Sequence, residues 1–309
     1  MTLPLGRGGA LLVDKPEGPT SFGVVASVRG ALGRSFGLKH RELPAVGHGG
    51  TLDPFATGLL IVLIGQATKL AQVFLDSEKR YTGTMRFGVR TASGDFTEPI
   101  LEQTTTLPQS LESLSRAAHT FVGTKYFQVP PMFSAKKRDG KALYTLARAG
   151  IEVEREPKLC QISRFEITSF DGACAEFSVS CSAGTYIRVL AEDLALKLGS
   201  LAALESLRRT GSGELSVDQS LSLAHASAHV SDWTESKAWV SLDHLARTLP
   251  ALELSPDQAL SVERGQQGVL KDLTPKMSTK RTALFCNQRL CAIARVRDGR
   301  AELERVFPL

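Results

Sequence analysis

One carboxylate, Asp53, sits in the glycine-rich segment Val46-Gly47-His48-Gly49-Gly50-Thr51-Leu52-Asp53-Pro54-Phe55-Ala56-Thr57-Gly58, just before the apolar run 59–64. A turn on a rigid buried strand is where a scaffold presents a reactive group. Pro54 disfavours the α region for the residue before it, so the backbone at Asp53 is restricted. A free aspartate ionises at about 3.9 and stays charged at neutral pH, more so beside an arginine. Such a carboxylate is a poor proton donor. It is a usable nucleophile, or a stabiliser of a cationic sugar carbon, which suits chemistry at a glycosidic bond. Two further groups stand out: Tyr81, beside Arg80 on an alternating segment, and Arg188, at the start of a helical one. Each also has a plainer reading. Asp-Pro commonly opens a turn, a tyrosine on an apolar face packs in a core, and an arginine near a helix end makes a weak surface ion pair.

Other chemistries find no support. The chain has no G-x-x-x-x-G-K-[ST], no G-x-G-x-x-G between strand and helix, and no G-x-S-x-G, so ATP, nicotinamide and serine-hydrolase chemistry lose ground. His225 and His229 stand four apart, but no glutamate follows His225 as in H-E-x-x-H, and solvated helix histidines fit better than a metal site. Five cysteines at irregular spacing, without C-x-x-C, give neither a disulfide framework nor a zinc ribbon. No stretch is apolar for the length of a membrane span and the first residues lack a signal-peptide core, so the expected location is the cytoplasm. The net charge of +5 and pI near 9.0 favour a polyanionic partner. Lys136-Lys137-Arg138, Arg208-Arg209, Lys280-Arg281 and Arg295 with Arg297 form separated basic clusters.

At 309 residues, two domains are the natural prior. Residues 10–14 predict a strand, followed by a helix capped by Thr20 or Ser21, carrying Val24, Val25, Val28, Ala31 and Leu32 and closed at Gly33. The run 59–64 and the alternation of Tyr81, Met85, Phe87 and Val89 predict strands. Residues 110–122 predict a helix, and 125–156 a surface insertion with a short helix closed by Gly150. Strands at about 160–170 and 173–181 flank an Asp171-Gly172 turn, and a helix with Ile187, Leu190, Leu194 and Leu198 follows, stopped by Gly199. Residues 218–250 read as helical and connecting. Beyond Pro250, alternating segments with Asn287-Gln288 and Asp298-Gly299 turns predict a compact β-barrel. The fold class is α+β with a mixed, mainly antiparallel sheet, divided into 1–249 and 250–309; no regular βαβ series supports a Rossmann sheet.

Six segments in order carry a resemblance: Leu12-Val13-Asp14-Lys15-Pro16, Gly47-His48 with Gly50-Thr51-Leu52-Asp53-Pro54 and Ala56-Thr57-Gly58, Lys79-Arg80-Tyr81, Gln128-Val129-Pro130-Pro131-Met132-Phe133-Ser134-Ala135-Lys136-Lys137, Gly184-Thr185-Tyr186-Ile187-Arg188 and Leu207-Arg208-Arg209-Thr210. Together they resemble the TruB family of tRNA pseudouridine synthases. The resemblance implies isomerisation of a uridine, numbered 55, in the T-loop of tRNA by a monomer that needs no cofactor, metal or protein partner. It implies Asp53 as nucleophile, Tyr81 as the ring against the base and proton acceptor from C5, and Arg188 as partner of the Asp53 carboxylate. His48 would enter the RNA beside the extruded nucleotide, and Tyr186 and Leu207 would line the pocket. Residues 125–156 resemble the family's thumb, with Lys136, Lys137 and Arg138, and elsewhere Arg208, on RNA phosphates. Residues 250–309 would be a PUA-like RNA-binding domain. Three departures stand against it: Gly49, where the family often has threonine, which leaves the loop more flexible; the looser turn Arg90-Thr91-Ala92-Ser93-Gly94-Asp95; and a C-terminal domain that is short for the family. An RNA-folding module, or a synthase acting on another RNA, are the alternatives.

Overall fold

The computed structural model describes residues 5–134, 137–138, 140–277 and 281–308. At its centre is the apolar run after the Asp53 turn. With no polar face from Leu59 to Ile64, strand Thr57–Gly65 is buried on both sides. It pairs antiparallel with strand Gly8–Lys15 and, at Thr57 and Gly58, parallel with strand Ala202–Ser212. Beyond Ala202–Ser212 the sheet continues antiparallel through Lys79–Phe87, Cys174–Cys181 and Ile162–Phe170. Helix Ser21–Phe36 packs in one core with the first strands. The remaining strands pack in a second core with helices Leu111–His119 and Ile187–Lys197. The α+β class with a mainly antiparallel mixed sheet is the observed one.

Strand Ala202–Ser212, between the Asp53-bearing and Tyr81-bearing parts of the sheet, has no counterpart in the sequence reading. Two register shifts, at Leu204/Ser206 and Arg209/Gly211, break its period of two. Gly58 is what lets it come close: its φ is 100°, and a Cβ there would lie 2.3 Å from the Arg209 carbonyl oxygen. Helix Ser21–Phe36 is capped by Thr20, whose Oγ1 accepts from Gly23 N, and it runs past Gly33 to Gly37, whose φ of 63° makes the left-handed stop. Residues 218–250 are not only helical: Leu221–Ser222 and Trp239–Ser241 add short strands beside Gly8–Lys15. Segments of two and three residues are too short to show a period.

The expected barrel beyond Pro250 is instead an open sheet in the order Ala251–Glu253, Thr282–Cys286, Arg289–Arg297, Arg300–Val306. Its Asn287-Gln288 and Asp298-Gly299 turns have the positive φ their residues suggested. Both faces are covered from outside, so the sheet has no reason to close on itself. Leu284, Cys286, Ala292 and Ala294 face helices Pro256–Glu263 and Leu270–Leu273. Ala283, Phe285, Leu290, Ile293 and Phe307 join the core of the large sheet. Arg7 reinforces the junction, donating from Nη1 to Leu290 O at 2.8 Å and from Nη2 to Asp243 at 2.5 Å. Phe307→Ala is therefore expected to cost roughly 3–5 kcal/mol. Urea unfolding followed by tryptophan fluorescence and by circular dichroism should show one shared transition, shifted down. Two separate transitions in the wild type would refute the shared core.

Candidate active site

The Asp53 turn is tied down on every side. Ser21 Oγ accepts from Leu52 N at 2.8 Å and donates to Leu52 O at 2.9 Å. Gly18 N and Lys15 Nζ both donate to Pro54 O, at 2.8 and 3.0 Å. Lys15 is fully buried, and burial pushes its ammonium down to about 8 even though Asp53 and Glu17 pull it up. Upstream, strand Val46–His48 pairs with the buried run through His48 and Val62. Gly49 N donates to Ile61 O at 2.9 Å, and a Cβ on Gly49 would lie 2.8 Å from Phe74 Cβ. The missing side chain thus lets the loop pack against Phe74 rather than loosening it. Gly49→Thr is expected to cost about 1–3 kcal/mol by overpacking. The urea midpoint should fall at unchanged slope, and a second change, Phe74→Leu, should not restore it, because the clash is with a Cβ that leucine keeps.

Arg188 closes the other side. Its helix starts where Gln128 clamps Tyr186, accepting from Tyr186 N at 2.9 Å and donating to Tyr186 O at 3.0 Å. The guanidinium is 4% exposed, with Nη2 2.8 Å from Asp53 Oδ2 and Nε 3.6 Å from Asp95 Oδ2. It also donates to the carbonyls of Ser93 and, at 2.8 Å, Phe133. A buried cation costs several kcal/mol unless its partners replace water, and here two carboxylates and two carbonyls do so. Asp53 itself is 33% exposed, so its carboxylate is held at one oxygen and open to a cavity.

That cavity measures about 370 Å³ and is lined by Asp53, Tyr81, Tyr186, Arg188, Leu207 and Arg209, with Lys79 among the rest of its wall. Tyr81 is buried, and burial pushes its phenol above the ordinary value. The same cause raises Tyr186, pushes Lys79 down to about 8, and lifts Glu192, behind Arg188, to about 7. The arrangement offers an anchored carboxylate, an aromatic wall and a floor of buried cations.

Five residues singled out from sequence meet in one cavity: Asp53, Tyr81, Arg188, Tyr186 and Leu207. His48 is not among its lining residues. Its Nδ1 accepts from Gly50 N at 3.3 Å, and burial together with Arg209 pushes its pKa down, which favours the neutral imidazole. Arg208 makes a two-pronged pair with Asp14 at 2.9 and 2.7 Å. Lys137 and Arg138 form a short strand against Lys141–Ala142; their side chains, and Lys136 altogether, lie outside the described residues. Sequence reasoning missed Asp95, Lys79 and Arg209. Asp95 had a signal in the Ser93-Gly94-Asp95 turn, where Ser93 Oγ donates to its carboxylate at 2.7 Å.

Residues 38–187 match the model of the TruB family pseudouridylate synthase N-terminal domain. A tRNA pseudouridine synthase B of Burkholderia pseudomallei is 38% identical over 302 residues, 96% of this chain and 96% of its own. The chain belongs to the TruB family. A second TruB relative, the tRNA pseudouridine synthase B of Psychrobacter cryohalolentis, is 36% identical over 285 residues, covering 92% of this chain and 77% of that protein. Among solved structures, a Cbf5-Nop10-Gar1 complex matches 97% of this chain and 85% of the compared chain at a TM-score of 0.72 and 23% identity. An H/ACA RNP bound to a substrate RNA containing 2'-deoxyuridine matches the same shares at 0.69 and 21%. At such identity these two show the fold alone. As a TruB-family chain the protein is a pseudouridine synthase, an isomerase. The family model spans Asp53 and Tyr81 and stops one residue before Arg188.

Proposed function

We propose that this chain converts uridine 55 in the T-loop of tRNAs to pseudouridine, with Asp53 as nucleophile, Arg188 as the group that orients it and Tyr81 as the ring on which the base turns. The observation that carries the reading is the Arg188–Asp53 pair at 2.8 Å on the wall of a cavity that Tyr81 shares. The reaction breaks N1–C1′ and forms C5–C1′, neither reachable in a stacked base, so the nucleotide must leave its stack at a cost of a few kcal/mol. Asp53 attacks C1′ as the N1 pair leaves with the base; the base rotates; C5 displaces Asp53, and its proton passes by way of Tyr81 to N1. Atoms balance within uridine, so the chemistry calls for no cofactor.

The rest belongs to the same proposal. Residues 1–249 form the catalytic part and 250–309 an RNA-binding part, the thumb at 125–156 closes on the RNA with Lys136, Lys137 and Arg138 on phosphates, and His48, Tyr186 and Leu207 contact the flipped nucleotide. The protein acts as a monomer in the cytoplasm; no helix among the described residues is long and apolar enough to cross a membrane. The test is conversion of an unmodified tRNA transcript by purified protein, with sites mapped by chemical modification and primer extension. Pseudouridine at position 55, absent in a U55C transcript, supports the reading. Modification elsewhere only, or none, overturns it.

A further inference from the structure

We propose that Arg209 is a positioning residue that holds the phenolate form of Tyr81 while the proton crosses from C5 to N1. The inference rests on the reading of Tyr81 as proton carrier. Arg209 is 2% exposed and lines the cavity. Its Nε donates to Leu59 O at 2.7 Å, Nη1 to Thr51 O at 3.2 Å and Nη2 to Gly50 O at 3.1 Å. Three of five N–H groups are thus spent on the two arms of the Asp53 turn. Among the described residues no carboxylate pairs with it. A buried charge without a counter-ion is costly, and carbonyl oxygens offset that cost without supplying an anion. Tyr81 stands directly opposite Arg209 in the antiparallel ladder, where side chains are neighbours.

Chemistry supplies the anion. Uridine carries a proton on C5 and none on N1; pseudouridine has the reverse. Tyr81 can give its hydroxyl proton to N1 of the departing base, keep the electron pair as phenolate, and take the C5 proton once the C5–C1′ bond has formed. The proton count closes without an outside acid. Burial opposes the phenolate, and the Arg209 charge counters it; Cys181 and Asp53 oppose it too. Lys79, two residues back on the same strand, and Arg188 across the cavity are the other cations on the wall.

The test places difluorotyrosine at position 81 and follows its ionisation by fluorine NMR in the RNA-free protein, with wild-type Arg209, Arg209→Gln and Arg209→Lys. Gln should raise the midpoint by at least about one pH unit, and Lys, which keeps the charge, by less than half as much. In natural protein, Arg209→Gln should slow single-turnover conversion at least about 30-fold at pH 7 with KM within threefold, and Lys should restore part of it. An unmoved midpoint, or turnover unslowed in Arg209→Gln, overturns the proposal. If Gln does not fold, a midpoint raised in Lys by about a full pH unit or more does the same, because Lys keeps the charge. Because the titration needs no RNA, failure of wild-type turnover would sink the functional reading and leave the Arg209–Tyr81 link separately judged.

Discussion

Asp53→Asn is expected to abolish isomerisation, lowering single-turnover conversion of a T-arm transcript by at least about 10³-fold, or roughly 4 kcal/mol of barrier. The change is nearly isosteric. The amide oxygen can still accept from Arg188, Ser21 still clamps Leu52, and Lys15 still holds Pro54, so the turn keeps its shape. What disappears is a charged oxygen able to attack C1′. Binding of the transcript should change little, and so should the melting temperature, because Arg188 keeps Asp95 as a counter-charge. Wild-type turnover in Asn and in a second variant, Asp53→Ala, would remove Asp53 from the chemistry and with it the mechanism proposed above.

Arg188→Met should be damaging twice over. Catalysis should drop by about 10²–10³-fold because the carboxylate of Asp53 loses the donor that aims it. Stability should fall by roughly 3–5 kcal/mol, since Asp95, 5% exposed, is left as a buried charge without its cation, and the carbonyls of Ser93 and Phe133 lose their donor. Arg188→Lys should not rescue either quantity, because one ammonium cannot reach four acceptors that the planar fork serves together. Kinetics on the folded fraction separate the two losses. Equal stability with slow turnover would point to a purely chemical role, and normal turnover would dismiss Arg188 from the site.

The parts of this site that could be read in advance are those written locally. A proline fixes the backbone before it, so the Asp53 turn announces itself; the alternation around Tyr81 gives a strand with that ring on its inner face. Burial of charge is different, for it depends on what folds over a residue. Arg208 and Arg209 are adjacent and alike in sequence, yet one pairs with Asp14 at the surface and the other lies under the Asp53 turn. Two bulges decide which is which, and they also hid the strand itself. Gly49 misled for the same reason: its freedom is cancelled by Phe74, a neighbour 25 residues on that only the tertiary structure brings to it. The open sheet beyond Pro250 could not be told from a barrel by period, since both alternate.

Arg7 also donates to the carbonyl of Pro308, 301 residues along the chain, and Leu5 shares a core with Phe307. Contacts of that span carry a large loop-closure cost before they return any stability. A ribosome adding 5–20 residues per second, on the order of the usual rate, needs at least about fifteen seconds to make the intervening chain. Through that interval strand Gly8–Lys15 and its neighbours must wait with part of their apolar surface uncovered. The junction that joins the two ends of the chain in one core therefore leaves its first-made strands open to misassembly until the last residues arrive.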